Sequence, residues 1–311
     1  MVGAGAVAAR HVRTLLAMDG VEVAAVADPA LERAKELAAA AGAAAYPDHM
    51  ELLAAERLDA VYICVPPFGH GAPELAAIDA GLPMFVEKPV AIDEETAVTI
   101  AERLAGRSLV TCTGYHWRWL DIFERAAGLL AERPARLVQC AWLDKVPPPR
   151  WWPRRDGSGG QTIEQTTHVL DTARGLAGEV VEVHAFGARA GDIHEVSAAS
   201  LRFASGAVGT VASSCLLPRL HRAGVQVVAD GLALELSETE LVVEADGRRS
   251  TWARDADARP RPDRDFVAAV RGGPDRIRVP WPEAYRTHLL ACAITRSADE
   301  GRPLTVGDGG G

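Results

Sequence analysis

The chain reads as an α/β half followed by an α+β half, and three observations predict this. Residues 5–114 alternate helix-period stretches with short apolar runs that end at Pro, Asp or Gly. Residues 136–142 and 180–243 instead carry short alternating runs separated by turns, with one strong helical stretch between them. The composition is that of a folded globular chain, 48% hydrophobic and 24% charged with mean hydropathy +0.02, and 311 residues match about two domains at roughly 150 residues each.

In order, residues 5–17 read as a helix opening on a glycine-rich turn. Residues 21–27 form a near-continuous apolar run ending at Asp28, the mark of a strand buried on both faces. Residues 31–41 are alanine-rich, helical and stopped by Gly42, and 51–57 read as a short helix. Residues 60–65 form a strand closed by Pro66-Pro67, 73–80 a helix capped by Gly81, and 84–86 a strand. A helix over 94–104 and a strand over 108–114 complete a series of right-handed βαβ units on a parallel sheet. In the second half, Ser205-Gly206 between 199–203 and 208–211 signals a hairpin. Residues 161–176 are the strong helix, giving an antiparallel sheet with helices on one face. The Arg-, Asp- and Pro-rich stretch 254–264 reads as a solvated loop, a helix over 283–300 is expected to pack back on the first domain, and Gly307-Asp308-Gly309-Gly310-Gly311 is expected to be disordered. The expected domains are therefore 1–118, 119–280 and a returning segment, 281–306.

Net charge −9 and pI near 5.5 argue against a nucleic-acid partner, which needs clustered positive surface. No run approaches the roughly 18 apolar residues of a membrane span, and no charged n-region leads into an apolar h-region. A cytoplasmic protein without a membrane partner is expected. Cys64, Cys112, Cys140, Cys215 and Cys292 are scattered and form no C-x-x-C pair, so neither a zinc site nor a disulfide framework is expected.

Gly3-Ala4-Gly5-Ala6-Val7-Ala8 fits G-x-G-x-x-A. The first glycine permits a tight turn, the second admits a pyrophosphate against the backbone, and Ala8 is small enough for close helix–strand packing. Free amides at the helix N-terminus then face the phosphates. Asp28 stands at the end of the second strand, where a carboxylate grips the adenine ribose hydroxyls and repels a 2′-phosphate. NAD is favoured on that ground, with NADP as the alternative. Two further motifs lie at strand C-terminal ends, where open α/β sheets bind ligands: Val65-Pro66-Pro67-Phe68-Gly69-His70 and Val86-Glu87-Lys88-Pro89. Only Lys35, Lys88 and Lys145 are lysine among 33 basic residues. A lysine at a strand end in so arginine-rich a chain points to a need for a compact or deprotonatable charge, which guanidinium cannot meet.

The glycine turn, Asp28, Glu87-Lys88-Pro89 and the downstream Glu164-x-x-x-His168 resemble the Gfo/Idh/MocA family of NAD(P)-dependent oxidoreductases, in the same order over nearly the whole chain. The resemblance implies a Rossmann domain followed by a mostly antiparallel α/β domain, with the active site in the cleft between them. It implies that Lys88 lies between nicotinamide and substrate, that 114–118, including His116 and Arg118, flanks the nicotinamide, and that 159–171 is the catalytic helix. The family helix is usually written D-x-x-x-H; Glu164 replaces the aspartate here. Homodimers or homotetramers through the open face of the second sheet are also implied.

Residues 164, 168 and 171 are spaced i, i+4, i+7, which predicts one helix face. Alcohol–ketone redox chemistry needs a proton acceptor, and histidine suits this near neutral pH. His168 is the expected acceptor, with Glu164 orienting it or the substrate and Lys88 polarising the carbonyl oxygen. The bland reading of the same face is packing against the sheet. The cofactor set is Gly3, Gly5, Ala6, Val7, Asp28, Val65, Pro66, Pro67, His70, Glu87, Lys88, His116 and Arg118. The substrate set is Tyr115, Trp151, Trp152, Arg154 and Asp171, since aromatic faces stack on sugars and arginine grips anions, although the 142–155 loop reads nearly as well as a subunit contact. His11, His49, His184, His194, His221 and His288 have no ligand-like spacing and receive no role. The expected activity is oxidation or reduction of a sugar, cyclitol or related polyol at CH–OH, the alternative being a silent dinucleotide or sugar sensor.

One expectation concerns the N-terminus. A Rossmann fold places a central strand of about 5–6 residues before the first glycine, but only Met1 and Val2 precede Gly3. The expectation is that Met1 is a misassigned start and that apolar residues lie upstream; the competing reading is that neighbouring strands or another segment close the gap.

Overall fold

The computed structural model describes residues 1–189 and 191–307, and the chain divides into two compact units. The first is Met1–Gly114 with Pro260–Glu283; the second is Tyr115–Arg259 with the stretch from Ala284 onward. These bounds differ from the expected ones. The stretch 260–283 belongs with the first unit, whereas Leu290, Ala291 and Ile294 of the final helix enter the core of the second. The expected disordered tail 308–311 lies outside the described residues.

In the first unit, helices α1 (Ala6–Leu16), α2 (Leu31–Ala41), α3 (His49–Ala55), α4 (Ala72–Asp79) and α5 (Glu94–Leu104) alternate with strands. The strands are β1 (Ala25–Ala27), β2 (Ala44–Tyr46), β3 (Val61–Ile63), β4 (Met84–Val86) and β5 (Thr111–Thr113). Parallel ladders join β1 to β2 and β3 to β4 to β5. Val2 bridges the two groups, pairing in parallel with Ala27 and with Ile63. Its N–H donates to the Tyr62 carbonyl and its own carbonyl accepts from Cys64 N–H. On the other side, Gly3 N–H donates to the Ala27 carbonyl and Ala27 N–H to that of Met1. Met1 and Val2 thus occupy the central strand position, and this much of the gap is filled by the chain's own first residues. The strand expected over 21–27 is assigned only from Ala25, where it begins its ladder with Ala44 of β2. Strand β2 was not anticipated from sequence; its three residues are all half-buried and short.

The stretch expected as a loop contains a helix start. Arg261–Val270 is amphipathic and turns Pro262, Asp263 and Phe266 inward, packing on α1 and β5. Proline at the first turn is compatible with a helix; of the helix's charged residues, Arg264 is exposed, Arg261 and Asp265 are half-buried and Asp263 is buried.

The second unit is built on one nine-stranded sheet. Its strands are β6 (Leu137–Leu143), β7 (Val180–Ala188), β8 (Val196–Phe203), β9 (Val208–Ser214), β10 (Arg222–Ala229), β11 (Leu232–Ser237), β12 (Glu240–Ala245), β13 (Arg248–Ala253) and β14 (Leu304–Thr305). The order is β13-β12-β11-β10-β6-β9-β8-β7-β14, antiparallel throughout except for β6 beside β9. The expected hairpin joins β8 to β9, with Gly206 in the turn. Helices α6 (Asp121–Glu132), α7 (Arg155–Ser158) and α8 (Thr167–Ala177) precede β7, α9 is the Arg261–Val270 helix of the first unit, and α10 spans Trp281–Glu300. One sheet face packs under α6 and α8, burying Val138, Leu201, Phe203, Val211, Val225 and Leu234. Alternation leaves the other face open, with Phe186, Val208 and Val228 exposed. The helix expected over 161–176 begins as a π-turn, Thr162–Thr166, before α8.

Candidate active site

The first unit presents the glycine turn at the C-terminal ends of its strands. Gly3 has φ +93°, and a Cβ there would lie 2.3 Å from the Cys64 carbonyl oxygen, so only glycine fits between Val2 and the adjoining strand. Gly5 caps α1 with no side-chain hydrogen bond. Residues 5–7 are exposed, and a Cβ at Gly5 would meet nothing within 4 Å. The leading amides of α1 therefore face open space, the arrangement that receives an anion.

Asp28 follows β1 and is half-buried. One carboxylate oxygen accepts from Ala4 N–H at 2.9 Å, inside the glycine turn, and the other from Ala30 N–H at 2.8 Å. These bonds fix the carboxylate beside the turn and leave acceptor capacity on both oxygens for a diol. After β3, Val65 and Pro66 are half-buried and Pro67 is buried at the start of a 3-10 turn. His70 is buried; its Nδ1 meets Glu74 at 2.6 Å, while its Nε2 has no hydrogen-bond partner among the described residues. The amide cradle, the fixed carboxylate and this unmatched ring nitrogen are a donor and acceptor set that fits a dinucleotide.

Lys88 is half-buried at the end of β4, followed by a cis peptide to Pro89. Glu87, expected at the cofactor, is committed elsewhere. It is buried and bonded to His11 at 2.8 Å, to Arg10 at 3.1 Å and to the Lys88 backbone N–H at 3.2 Å. Burial alone would raise its pKa, but the His11 hydrogen bond and the charges of His11, Arg10 and Lys88 outweigh this and hold it at about 2. His11, given no role from sequence, is thus central to this end of the sheet. Its signal was its place on the inward stripe of α1 with Ala8, Val12 and Leu15, where a histidine needs partners.

In the second unit, the catalytic-helix residues separate into two groups. From 161 to 174 every residue is buried except Glu164 and His168. Glu164 lies in the π-turn, an i→i+5 widening often found at functional sites. Its Oε2 accepts from the Trp152 indole N–H at 2.7 Å. His168 lies nearly flat on Trp142, with ring centres 5.5 Å apart, and edge-on to His116 at 5.5 Å and Tyr115 at 6.0 Å. Asp171 does not join them. Three residues at about 100° each carry it roughly 60° round the axis from His168, and it is fully buried. There it receives Arg118 through Nε at 2.8 Å and Nη2 at 3.1 Å, and the Thr287 hydroxyl at 3.1 Å. The expected cofactor contact Arg118 and substrate contact Asp171 therefore hold one another and fix the 3-10 turn His116–Trp119 against α8.

Tyr115 is buried with its hydroxyl 2.6 Å from the Thr167 hydroxyl. Trp152 is fully buried with Ile193 and Cys215, which turns the expected sugar-stacking residue into the support of Glu164. Trp151 is half-buried, and Arg154 is exposed and paired with Asp156. His116 meets Glu238 at 3.2 Å, and Arg259 also reaches Glu238. The His116 hydrogen bond is the main cause of a Glu238 carboxyl held at about 2. Trp142, at the start of the 142–155 stretch expected at the substrate, lies on β6 against His168. Glu238 was not anticipated, and it lies in the turn between β11 and β12, where it meets His116.

Fold and site residues together define a dinucleotide-binding α/β unit and a mixed-sheet unit carrying a half-open histidine. The family model described as "Oxidoreductase family, NAD-binding Rossmann fold" matches residues 1–115, and the "GFO/IDH/MocA C-terminal domain" matches 134–231. The chain belongs to the Gfo/Idh/MocA oxidoreductase family. It is 30% identical to an inositol 2-dehydrogenase of Streptomyces avermitilis over 329 aligned positions, covering 98% of this chain and 93% of that one. The match to inositol 2-dehydrogenase 4 of Saccharopolyspora erythraea is 33% over 190 residues, 58% of this chain and 54% of the relative, so it spans about half of that protein. Among solved structures, levoglucosan dehydrogenase in complex with NADH and levoglucosan superposes with TM-score 0.87 at 20% identity, covering 98% and 97% of the two chains. The WlbA dehydrogenase of Bordetella pertussis in complex with NADH and UDP-GlcNAcA gives 0.85 at 21%, with the same coverage. At these identities the likeness is one of fold.

Proposed function

We propose that the protein is an NAD-dependent oxidoreductase that interconverts a secondary alcohol and a ketone on a sugar, cyclitol or related polyol. The observation that carries this reading is the partial exposure of Glu164 and His168 on a helix otherwise buried from 161 to 174. A face needed only for packing would not leave its acid and its histidine open to solvent. The chemistry that NAD supplies when bound is acceptance or return of a hydride at the nicotinamide.

The chain's own residues supply the rest. The amides at Gly5, Ala6 and Val7 hold the pyrophosphate and Asp28 holds the adenine ribose diol, a carboxylate that disfavours a 2′-phosphate. His168 takes the hydroxyl proton as the alcohol is oxidised, and general base assistance of this kind supplies about 10²–10⁴-fold. Glu164, steadied by Trp152, orients a neighbouring hydroxyl or the imidazole. Lys88 stabilises charge developing on the carbonyl oxygen as a compact ammonium. Inositol 2-dehydrogenases among the relatives support a polyol as the substrate class. We also assign the open sheet face bearing Phe186, Val208 and Val228 to contact with a second copy of the chain. Sedimentation of the wild type beside Phe186→Glu tests that contact, and a monomer in both overturns it.

The deciding experiment follows nicotinamide absorbance with a panel of cyclitols, anhydrosugars and ketosugars, with NAD and NADP compared. Turnover that falls by at least about 10²-fold in His168→Ala, with dinucleotide affinity retained, is the expected result. Tight dinucleotide binding with no turnover across the panel would make the protein a sensor instead.

A further inference from the structure

Three separate segments of the first unit deliver charged groups to one buried point. His11 comes from α1, Glu87 from the end of β4 and Asp263 from the first turn of α9. The His11 ring nitrogens lie 2.5 Å from Asp263 Oδ1 and 2.8 Å from Glu87 Oε1. Carboxylates on both sides are acceptors, and only an imidazolium has an N–H for each. The ring rests on Phe85 at 4.9 Å and Tyr62 at 5.4 Å, aromatic faces that favour a cation. Arg10 adds a second cation on Glu87 Oε1, and Lys88, Cys64, Cys112, Asp265 and the Tyr62 hydroxyl are further titratable groups near this point.

The string has a direction. Glu87 Oε2 accepts the Lys88 backbone N–H, and Gly114 leaves room for the carboxylate: a Cβ at 114 would lie 2.5 Å from that oxygen. Replacing such a buried ionic group by apolar residues costs little stability or none. An apolar core, however, cannot orient a carboxylate beneath a particular peptide.

We propose that His11 and Asp263 are positioning residues for Lys88. Through Glu87 they fix the Lys88 peptide and tie it to α1, so that the lysine and the dinucleotide turn at the start of that helix move as one piece. The inference rests on the role given to Lys88 above, and its test separates the two.

The chain has three lysines, so lysine-selective side-chain labelling of the full protein gives three NMR signals, with Lys88 assigned by Lys88→Arg. In His11→Gln, and independently in Asp263→Asn, the Lys88 signal should shift while Lys35 and Lys145 stay in place. The kcat should fall about 10- to 100-fold, as for misplacement of a reacting group, with dinucleotide KM changed less than about twofold. Neither variant should lower kcat further in a Lys88→Met background. In the wild type, His11 should show protons on both ring nitrogens at neutral pH. A neutral His11, or an unmoved Lys88 signal in a folded variant, overturns the proposal. A shifted Lys88 signal with full turnover in Lys88→Met would leave the positioning intact and remove the catalytic role.

Discussion

Raising the pH should weaken the first unit through one side chain, His11. Burial would lower its pKa, but the hydrogen bonds and charges of Asp263 and Glu87 outweigh burial and raise it from 6.5 to about 9. The ring is almost fully buried, so solvent screening is slight. A rise of that size corresponds to about 3 kcal/mol of stabilisation. The sign follows from proton uptake. Between pH 6.5 and 9 the folded chain holds a proton that the unfolded chain has lost. Stability is therefore complete below 6.5 and declines through 9, at most about 1.4 kcal/mol per pH step. Glu87, held at about 2, reports the same interaction from the acid side: its share is full above 4.5 and is lost as pH falls through 2. The buried thiols of Cys64 and Cys112 and the Tyr62 hydroxyl are also pushed up, and they add an alkaline loss common to wild type and variant. The assay is urea unfolding from about pH 6 to 9.5 of wild type and His11→Gln, under reducing conditions. Wild type should lose about 3 kcal/mol more across this range than the variant. Parallel curves would refute the charged bridge.

Asp28→Ala should weaken NAD binding and narrow its advantage over NADP, measured by titration calorimetry; a wild type that prefers NADP would contradict the reading of Asp28. Gly114→Ala forces a methyl against the Glu87 carboxylate and should lower kcat with little change in dinucleotide Kd, while an unaltered kcat would show that the carboxylate can move freely. Asp171→Asn removes one charge of a buried pair with Arg118 and should cost about 3–5 kcal/mol by chemical denaturation, the usual penalty for an uncompensated buried charge. Trp152→Phe deletes the indole donor to Glu164 and should leave stability within about 1–3 kcal/mol of wild type while changing KM among polyols; unchanged KM values would detach Glu164 from the substrate.

Local chemistry made much of this protein legible in its sequence. The strand readings over 60–65, 84–86 and 108–114 with helices between them specified a parallel sheet, and the central residues of each prove buried on both faces. The glycine turn, Asp28, Lys88 and the helix over 159–171 were visible because each is marked by a short motif of neighbouring residues. Alternation along 199–211 carried the hairpin register.

Other features had no local signature. Asp263 sits in a stretch whose composition is that of a loop, and its burial depends on α1 and β5, which lie more than a hundred residues earlier. His11 shows locally only that it lies on the inward stripe of α1; its partners Glu87 and Asp263 come from far along the chain. Spacing alone put Asp171 with Glu164 and His168; the Arg118 guanidinium and the Thr287 hydroxyl hold it on the buried side instead. Trp152 reads as exposed until Ile193 and Cys215 cover it. Apart from elements such as β2 and α9, the sequence by itself determined which segments become helix or strand and which short motifs stand at strand ends, since backbone preference and periodicity act over a few residues. Which charges meet, which of them are buried and which side chains stay open to a substrate was decided only by tertiary packing, because desolvation and pairing depend on neighbours that the chain brings together from far apart.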